Sequence, residues 1–253
     1  MSIPLRLAIA FAVVATSACS PQTQTAASNP EDAALPAAVA AEDPAAPLPP
    51  PVEVASSKLE QLFHPDMLDV DVAYFEQTAG IARKSDGDRR EYRVEGCDVA
   101  VNLIGGQVRN MRLQLADSCH VDLNRFLREY GIPKTEQLTF GNFIEAAGTN
   151  FTWYADCLVA CGNAYDPSVY LEWTAPRSNL FYTVVLEGRI LGGTELVEKM
   201  KQDKGEVWVV DARFNCEEEA RPFKDLWTTT YANEKPHAVT IGWDVSVPEC
   251  PAS

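Results

Sequence analysis

Basic residues are scarce in this chain. Lys and Arg total 21 against 36 Asp and Glu, a formal net charge of −15. Phosphate contacts need clustered Lys and Arg, so nucleic acid is not expected as a partner, and acidity of this kind serves solubility. Histidine is scarcer still, with only His64, His120 and His237. A G-x-S-x-G elbow, a P-loop, an H-E-x-x-H pair and a dinucleotide fingerprint are all missing. The sequence therefore nominates no catalytic residue, no cofactor and no metal. Asp66, Asp69 and Asp71, like Asp86 and Asp88, lack the fuller ligand run of a calcium loop. Nor does any apolar run reach the roughly 20 residues that a membrane-spanning helix needs.

What is present begins at the N-terminus. Arg6 is followed by the short apolar stretch Leu7 to Val14, and small residues Thr16-Ser17-Ala18 stand before Cys19. This is the plan of an export signal over residues 1–18. Thr16-Ser17-Ala18-Cys19 also resembles the lipobox of bacterial lipoproteins. The resemblance implies that the Cys19 thiol carries diacylglycerol and that Cys19 becomes the first residue of the mature chain. Ser20 in place of Asp implies the outer membrane, with the protein facing the periplasm and the membrane held through its N-terminal lipid. Acyl chains contribute about 0.8 kcal/mol per buried CH₂, which makes a firm anchor.

Residues 19–56 read as a disordered tether. They are rich in proline and alanine and contain no aromatic residue. Such a composition buries too little apolar surface to offset chain entropy. Pro49-Pro50-Pro51 is locally extended by its chemistry, and the whole segment reaches some tens of ångströms.

The cysteine count supports export. Seven is odd, but acylation of Cys19 leaves Cys97, Cys119, Cys157, Cys161, Cys216 and Cys250. An exported chain meets an oxidising compartment, so three disulfides are expected. Six cysteines allow 15 pairings. Pairing sequence neighbours gives Cys97–Cys119, Cys157–Cys161 and Cys216–Cys250. The middle pair requires a tight turn, because helical i,i+4 spacing is too wide for a cystine. The same Cys157 and Cys161 offer the alternative of a periplasmic thiol or metal protein or an enzyme centred on them, since two soft thiolates at this spacing suit copper.

Residues 57–253 read as a folded α+β domain. Ser57-KLEQLF and VDVAYFEQTAG have helical periodicity, with Gly80 as a stop. EYRVEG, CDVAVNL and QVRNMRLQLA alternate as antiparallel strands, with a hairpin signal at Gly105-Gly106. HVDLNRFLREY reads as a helix with Leu123, Phe126, Leu127 and Tyr130 on one face. FGNFIEAAG, capped by Thr139, precedes FTWYADC, VYLEWTA and LFYTVVLEG. TELVEKMKQDK is expected as a helix, and EVWVVDARF and HAVTIGWDV as strands. Phe75-Glu-Gln-Thr-Ala-Gly80 and Phe143-Ile-Glu-Ala-Ala-Gly148 share Phe, Ala and Gly at equal offsets. Each is followed by an aromatic-containing strand that ends on a cysteine. This predicts tandem helix–antiparallel-sheet units over 57–118 and 119–190, a C-terminal segment over 191–253, and a disulfide-stapled whole.

Element order, the lipobox and the pairs Phe75/Gly80 and Phe143/Gly148 give a resemblance to the small envelope lipoproteins of the SmpA/OmlA (BamE-type) kind. Two such units in tandem resemble the beta-lactamase-inhibitor-protein fold. The resemblance implies a protein that binds another protein and catalyses nothing. The expected function is thus a tethered module for an envelope protein or polymer. Adjacent aromatics in a strand point to opposite faces, which nominates Trp153, Tyr154, Trp173 and Tyr182 as a binding surface.

Overall fold

A computed structural model describes residues 56–159, 161–162, 167–190 and 195–252. The expected signal, Cys19 and the tether up to residue 55 lie outside the described residues, as does Thr194, the first residue of the expected helix TELVEKMKQDK.

The first helix, α1 (Lys58–Leu62), is capped by the Ser57 side chain. The Glu95 carboxylate also accepts hydrogen bonds from the Lys58 and Leu59 amides, at 3.1 and 3.2 Å. A carboxylate suits the positive end of a helix, and here it ties α1 to a strand turn. Asp71 caps α2 (Val72–Ala79), which stops at Gly80. Four antiparallel strands follow: β1 (Lys84–Asp86), β2 (Arg89–Val94), β3 (Cys97–Ile104) and β4 (Gln107–Gln114). The second unit repeats the plan. Thr139 and Asn142 form a reciprocal capping box at the start of α3 (Phe140–Ala147). Then come β5 (Phe151–Ala155), β6 (Ser168–Thr174) and β7 (Thr183–Arg189).

The fourth strand of the second unit arrives late. Between β7 and β8 (Ala238–Gly242) lie α4 (Glu195–Lys204), α5 (Glu206–Val210), α6 (Glu217–Ala220) and α7 (Lys224–Tyr231). The eight strands form one sheet in the order β1-β2-β3-β4-β8-β7-β6-β5, each antiparallel to its neighbours. Two four-stranded meanders therefore meet at their last strands, β4 and β8. The segment expected to follow the second unit supplies that unit's last strand, which lies at the centre of the whole sheet, and all five β8 residues are buried.

One face of the sheet carries the core. Tyr92, Val99, Leu113, Val239, Leu186, Leu171 and Trp153 share one row across it, and all are buried. Phe75 of α2 packs on Tyr92, ring centres 5.4 Å apart, and Phe143 of α3 packs on Trp173 at 6.0 Å. Burying each Phe contributes about 1.5–3 kcal/mol. Phe140 lies against Gly188 of β7, where a methyl group would sit 2.8 Å from its ring. On α7, Trp227 stacks on Trp153 at 5.8 Å and on Tyr231 at 5.8 Å.

Two expected elements differ. Residues 120–130 form only one 3-10 turn, Leu123–Arg125. The Asn124 amide bonds both the N–H and C=O of Ile132, at 2.8 and 2.7 Å, and such side chain–backbone bonds compete with a helix. The apolar face is nevertheless buried, with Leu123 and Leu127 fully covered. EVWVVDARF becomes α5 and a following 3-10 turn, Arg213–Asn215, instead of a strand. The edge it would join is already occupied: the Asn215 amide bonds both backbone groups of Ala155 at 2.9 Å, and Lys224 Nζ donates to the Phe151 carbonyl at 2.7 Å.

The fold class is α+β, in tandem helix–sheet units stapled by three disulfides. Cys97–Cys119, Cys157–Cys161 and Cys216–Cys250 are joined, with Cα atoms 5.5, 5.6 and 4.6 Å apart. Among the described residues no helix is long and apolar enough to cross a membrane.

Candidate binding face

The sheet face opposite the helices is polar because strand alternation makes it so. Its middle row runs Glu91, Ala100, Arg112, Thr240, Val185, Glu172 and Thr152. On the first unit the charges are open to solvent. Arg89 pairs with Glu91 at 3.1 Å, both 40% exposed, and Arg93 with Asp98 at 2.5 Å, 46% and 58% exposed. Asn102 donates to Asn110 at 2.8 Å. A cleft of about 190 Å³ opens above Ala100, lined by Arg83, Arg89, Asp98 and Arg112 among others.

At the seam the polar groups sink. Arg112 on β4 reaches past β8 to Glu187 on β7, through Nε at 2.9 Å and Nη2 at 2.7 Å. Ser168 Oγ donates to Glu187 at 3.0 Å, and His237 Nε2 lies 3.3 Å from the same carboxylate. Burial alone would raise the Glu187 carboxyl. The His237 hydrogen bond and the Arg112 charge outweigh it and hold the group down at about 2. The result is a fixed, ionised cross-link between the two units.

The C-terminal segment straps the second half of this face. Asn110 donates to the carbonyls of Trp243 and Asp244, at 3.0 and 3.2 Å. Val245 and Ser246 then line a cleft of about 460 Å³ that crosses the seam, from Arg89, Asn102 and Arg112 of the first unit to Tyr170, Val185, Glu187 and Thr240. The segment ends at Cys250, bonded to Cys216 beside the β5 edge. Tyr154 and Tyr170 sit on this half of the face. Burial and the neighbouring Glu172 push the Tyr154 phenol up to about 12. Burial also raises Glu172, and burial with the Glu187 and Asp156 charges raises Tyr170.

The expected aromatic surface is corrected. Trp153, Trp173 and Tyr182 are 3%, 2% and 4% exposed: the strand positions of Trp153 and Trp173 face the helices, and Tyr182, just before β7, is covered by Phe126 and Trp243. They are core. Of the four only Tyr154 lies on the other face. Cys157 and Cys161 are joined to each other, so the thiolate pair of a soft-metal carrier is absent in this oxidised form. Among the described residues no group of three or more His, Cys, Asp or Glu is placed to hold a metal ion. Of the histidines, His64 caps a 3-10 turn, His120 lies 3.4 Å from Thr135, and His237 is in the seam cluster. Sequence reading missed the Arg112–Glu187–His237 cluster. Its only signal was a charged residue beside buried apolar ones in each of two strands, Arg112 between Met111 and Leu113 and Glu187 after Leu186, with His237 just before β8.

No family model matches the chain, and searches of the curated proteins and of the solved structures find no match either.

Proposed function

We propose that the chain is a tethered binding module of the bacterial envelope. In this reading Cys19 carries the lipid, residues 19–56 hold the domain away from the outer membrane, and the folded part faces the periplasm. The partner is an envelope protein or polymer, taken on the open sheet face of the first unit. One observation carries the proposal: on the outer face of the first unit's strands, exposed charges alternate in sign, Arg89, Glu91, Arg93 and Asp98. Electrostatic patterning of this kind fixes register and partner choice more than raw affinity.

The test uses the full lipidated chain. Arg89→Glu with Arg93→Glu should weaken a partner recovered by gentle crosslinking by about tenfold, while leaving melting nearly unchanged. Equal recovery by wild type and variant, or no partner at all, would defeat the proposal. The address has its own check: intact mass of the mature chain should show acylated Cys19. An unacylated cytosolic chain with reduced cysteines would remove the envelope reading.

A further inference from the structure

Six non-glycine residues among those described have positive φ: Asp69, Glu95, Leu180, Phe181, Ala212 and Asp244. Four are acidic or small. Leu180 and Phe181 are bulky, adjacent and apolar, and both have φ 55°. The left-handed conformation disfavours such residues on the order of tenfold each in the folding equilibrium. Burial does not compensate, because Leu180 is 59% and Phe181 55% exposed. Asn or Gly would make this turn more cheaply and expose nothing apolar.

The tip is nonetheless held in place. Trp243 Nε1 donates to the Leu180 carbonyl at 2.8 Å, and the Tyr182 amide donates to the Asn179 carbonyl at 3.2 Å. Trp243 packs on Tyr182 with ring centres 5.2 Å apart, and Arg109 covers the Trp243 ring at 5.0 Å. Arg109 in turn is clasped by Asp69 and Asp244. Asp66, 89% exposed at its side chain, and Asp69 lie close enough to act electrostatically on Tyr182. Three carboxylates, Asp66, Asp69 and Asp244, thus outnumber the two guanidinium groups at the tip, Arg109 and the exposed Arg177, on a chain of net charge −15. An unfavourable backbone, kept rigid to display two apolar side chains, points to a contact.

We infer that the Leu180–Phe181 tip of the β6–β7 hairpin is a rigid apolar anchor that inserts into an apolar cleft on a partner protein whose rim is basic. Anchors of this type concentrate binding energy in few residues. The excess of negative charge, small at the tip and −15 over the chain, disfavours an anionic lipid surface and a second copy of this chain. The inference shares with the proposed function the premise that the chain binds a protein, but it rests on other residues.

The experiment places a benzophenone amino acid at position 181, or separately at 89, in the full lipidated chain in cells. A single adduct with another protein at position 181 is expected. That protein, purified, should bind Leu180→Gly/Phe181→Gly about 30-fold more weakly than wild type, and its affinity for wild type should fall with salt. The double variant should melt at the same temperature or higher, since glycine relieves the turn. A structural role for these side chains predicts the opposite, lower melting. That outcome, unchanged binding, an adduct with lipid or with a second copy, or an adduct at 89 alone would each overturn the inference. The last would leave the open-face proposal standing, an adduct at 181 alone would sink that proposal instead, and no adduct at either position would sink both.

Discussion

The two halves of the sheet start from the same unit and end differently. In both, a capped helix presents a fully buried Phe four residues after its cap, Phe75 after Asp71 and Phe143 after Thr139. Both helices stop at a glycine of nearly identical geometry: φ 85° and ψ −171° at Gly80, φ 86° and ψ −171° at Gly148. The first unit adds almost nothing to this plan, and its outer face stays exposed. The second inserts four helices before its last strand and lays the C-terminal segment across its outer face. Helix-side bulk and outer-face cover thus accumulate on one half. A duplicated scaffold in this form can leave one face free for contact while the other half supplies stability.

Removing the bulk should have the largest effect. Trp227 is 1% exposed and stacks on Trp153 and Tyr231. Trp227→Ala should cost about 3–5 kcal/mol in urea unfolding. Trp227→Phe should cost clearly less, because it keeps a ring and deletes an indole N–H that has no partner among the described residues. If alanine there costs under about 1 kcal/mol, the insert is an appendage and the contrast between halves fails.

The staples come next. Cys216–Cys250 spans 34 residues and Cys97–Cys119 spans 22. In the chain-entropy picture their loss costs roughly 3.8 and 3.4 kcal/mol. The distinguishing readout is local. Cys216→Ser/Cys250→Ser should speed amide exchange in residues 243–252 and leave α1 and α2 protected. Uniform loss of protection would mean that the strap belongs to the global core.

The seam can be tested by pH. Glu187 is ordinarily near 4.5 and is held at about 2 when folded. The folded state therefore binds fewer protons, so the pair's stabilisation is fully present above about 4.5. It is lost as pH falls from there toward 2. Melting followed across this window should show about 3 kcal/mol of lost stability. Glu187→Gln should lower stability at neutral pH and flatten that dependence. An unchanged slope in the variant would show that Arg112 and Glu187 do not couple the halves.

Much of this was legible in the sequence, for identifiable reasons. The repeat showed because Phe, Ala and Gly are each fixed by a local need: a buried contact, close packing, a backbone that only glycine adopts. Cystine pairing showed because sequence neighbours were also neighbours in space. Face assignment was not legible. Trp153 and Tyr154 are adjacent and alike, and only the register against Leu171 and Tyr170 decides which is core. The β-branched EVWVV run misled because strand propensity cannot tell whether an edge is free. Here Asn215 and Lys224 had already closed it. The seam cluster joins residues 75 apart, beyond any local pattern.

The smallest expected effect is the sharpest test of the duplication. At φ near +85° with ψ near 180°, the backbone is in a region almost exclusive to glycine. A methyl group added at either Gly80 or Gly148 would meet nothing within 4 Å. Alanine at these positions therefore probes backbone conformation with no clash, and each substitution should cost about 1–3 kcal/mol. Because the dihedrals match to a degree, the two costs should match as well, measured by urea unfolding at fixed slope. A large inequality would have to come from the surroundings. If Gly80→Ala proved nearly free, the first unit's helix would be relaxing away from the sheet while the second unit's helix, held between β7 and α7 through Phe140 and Gly141, could not.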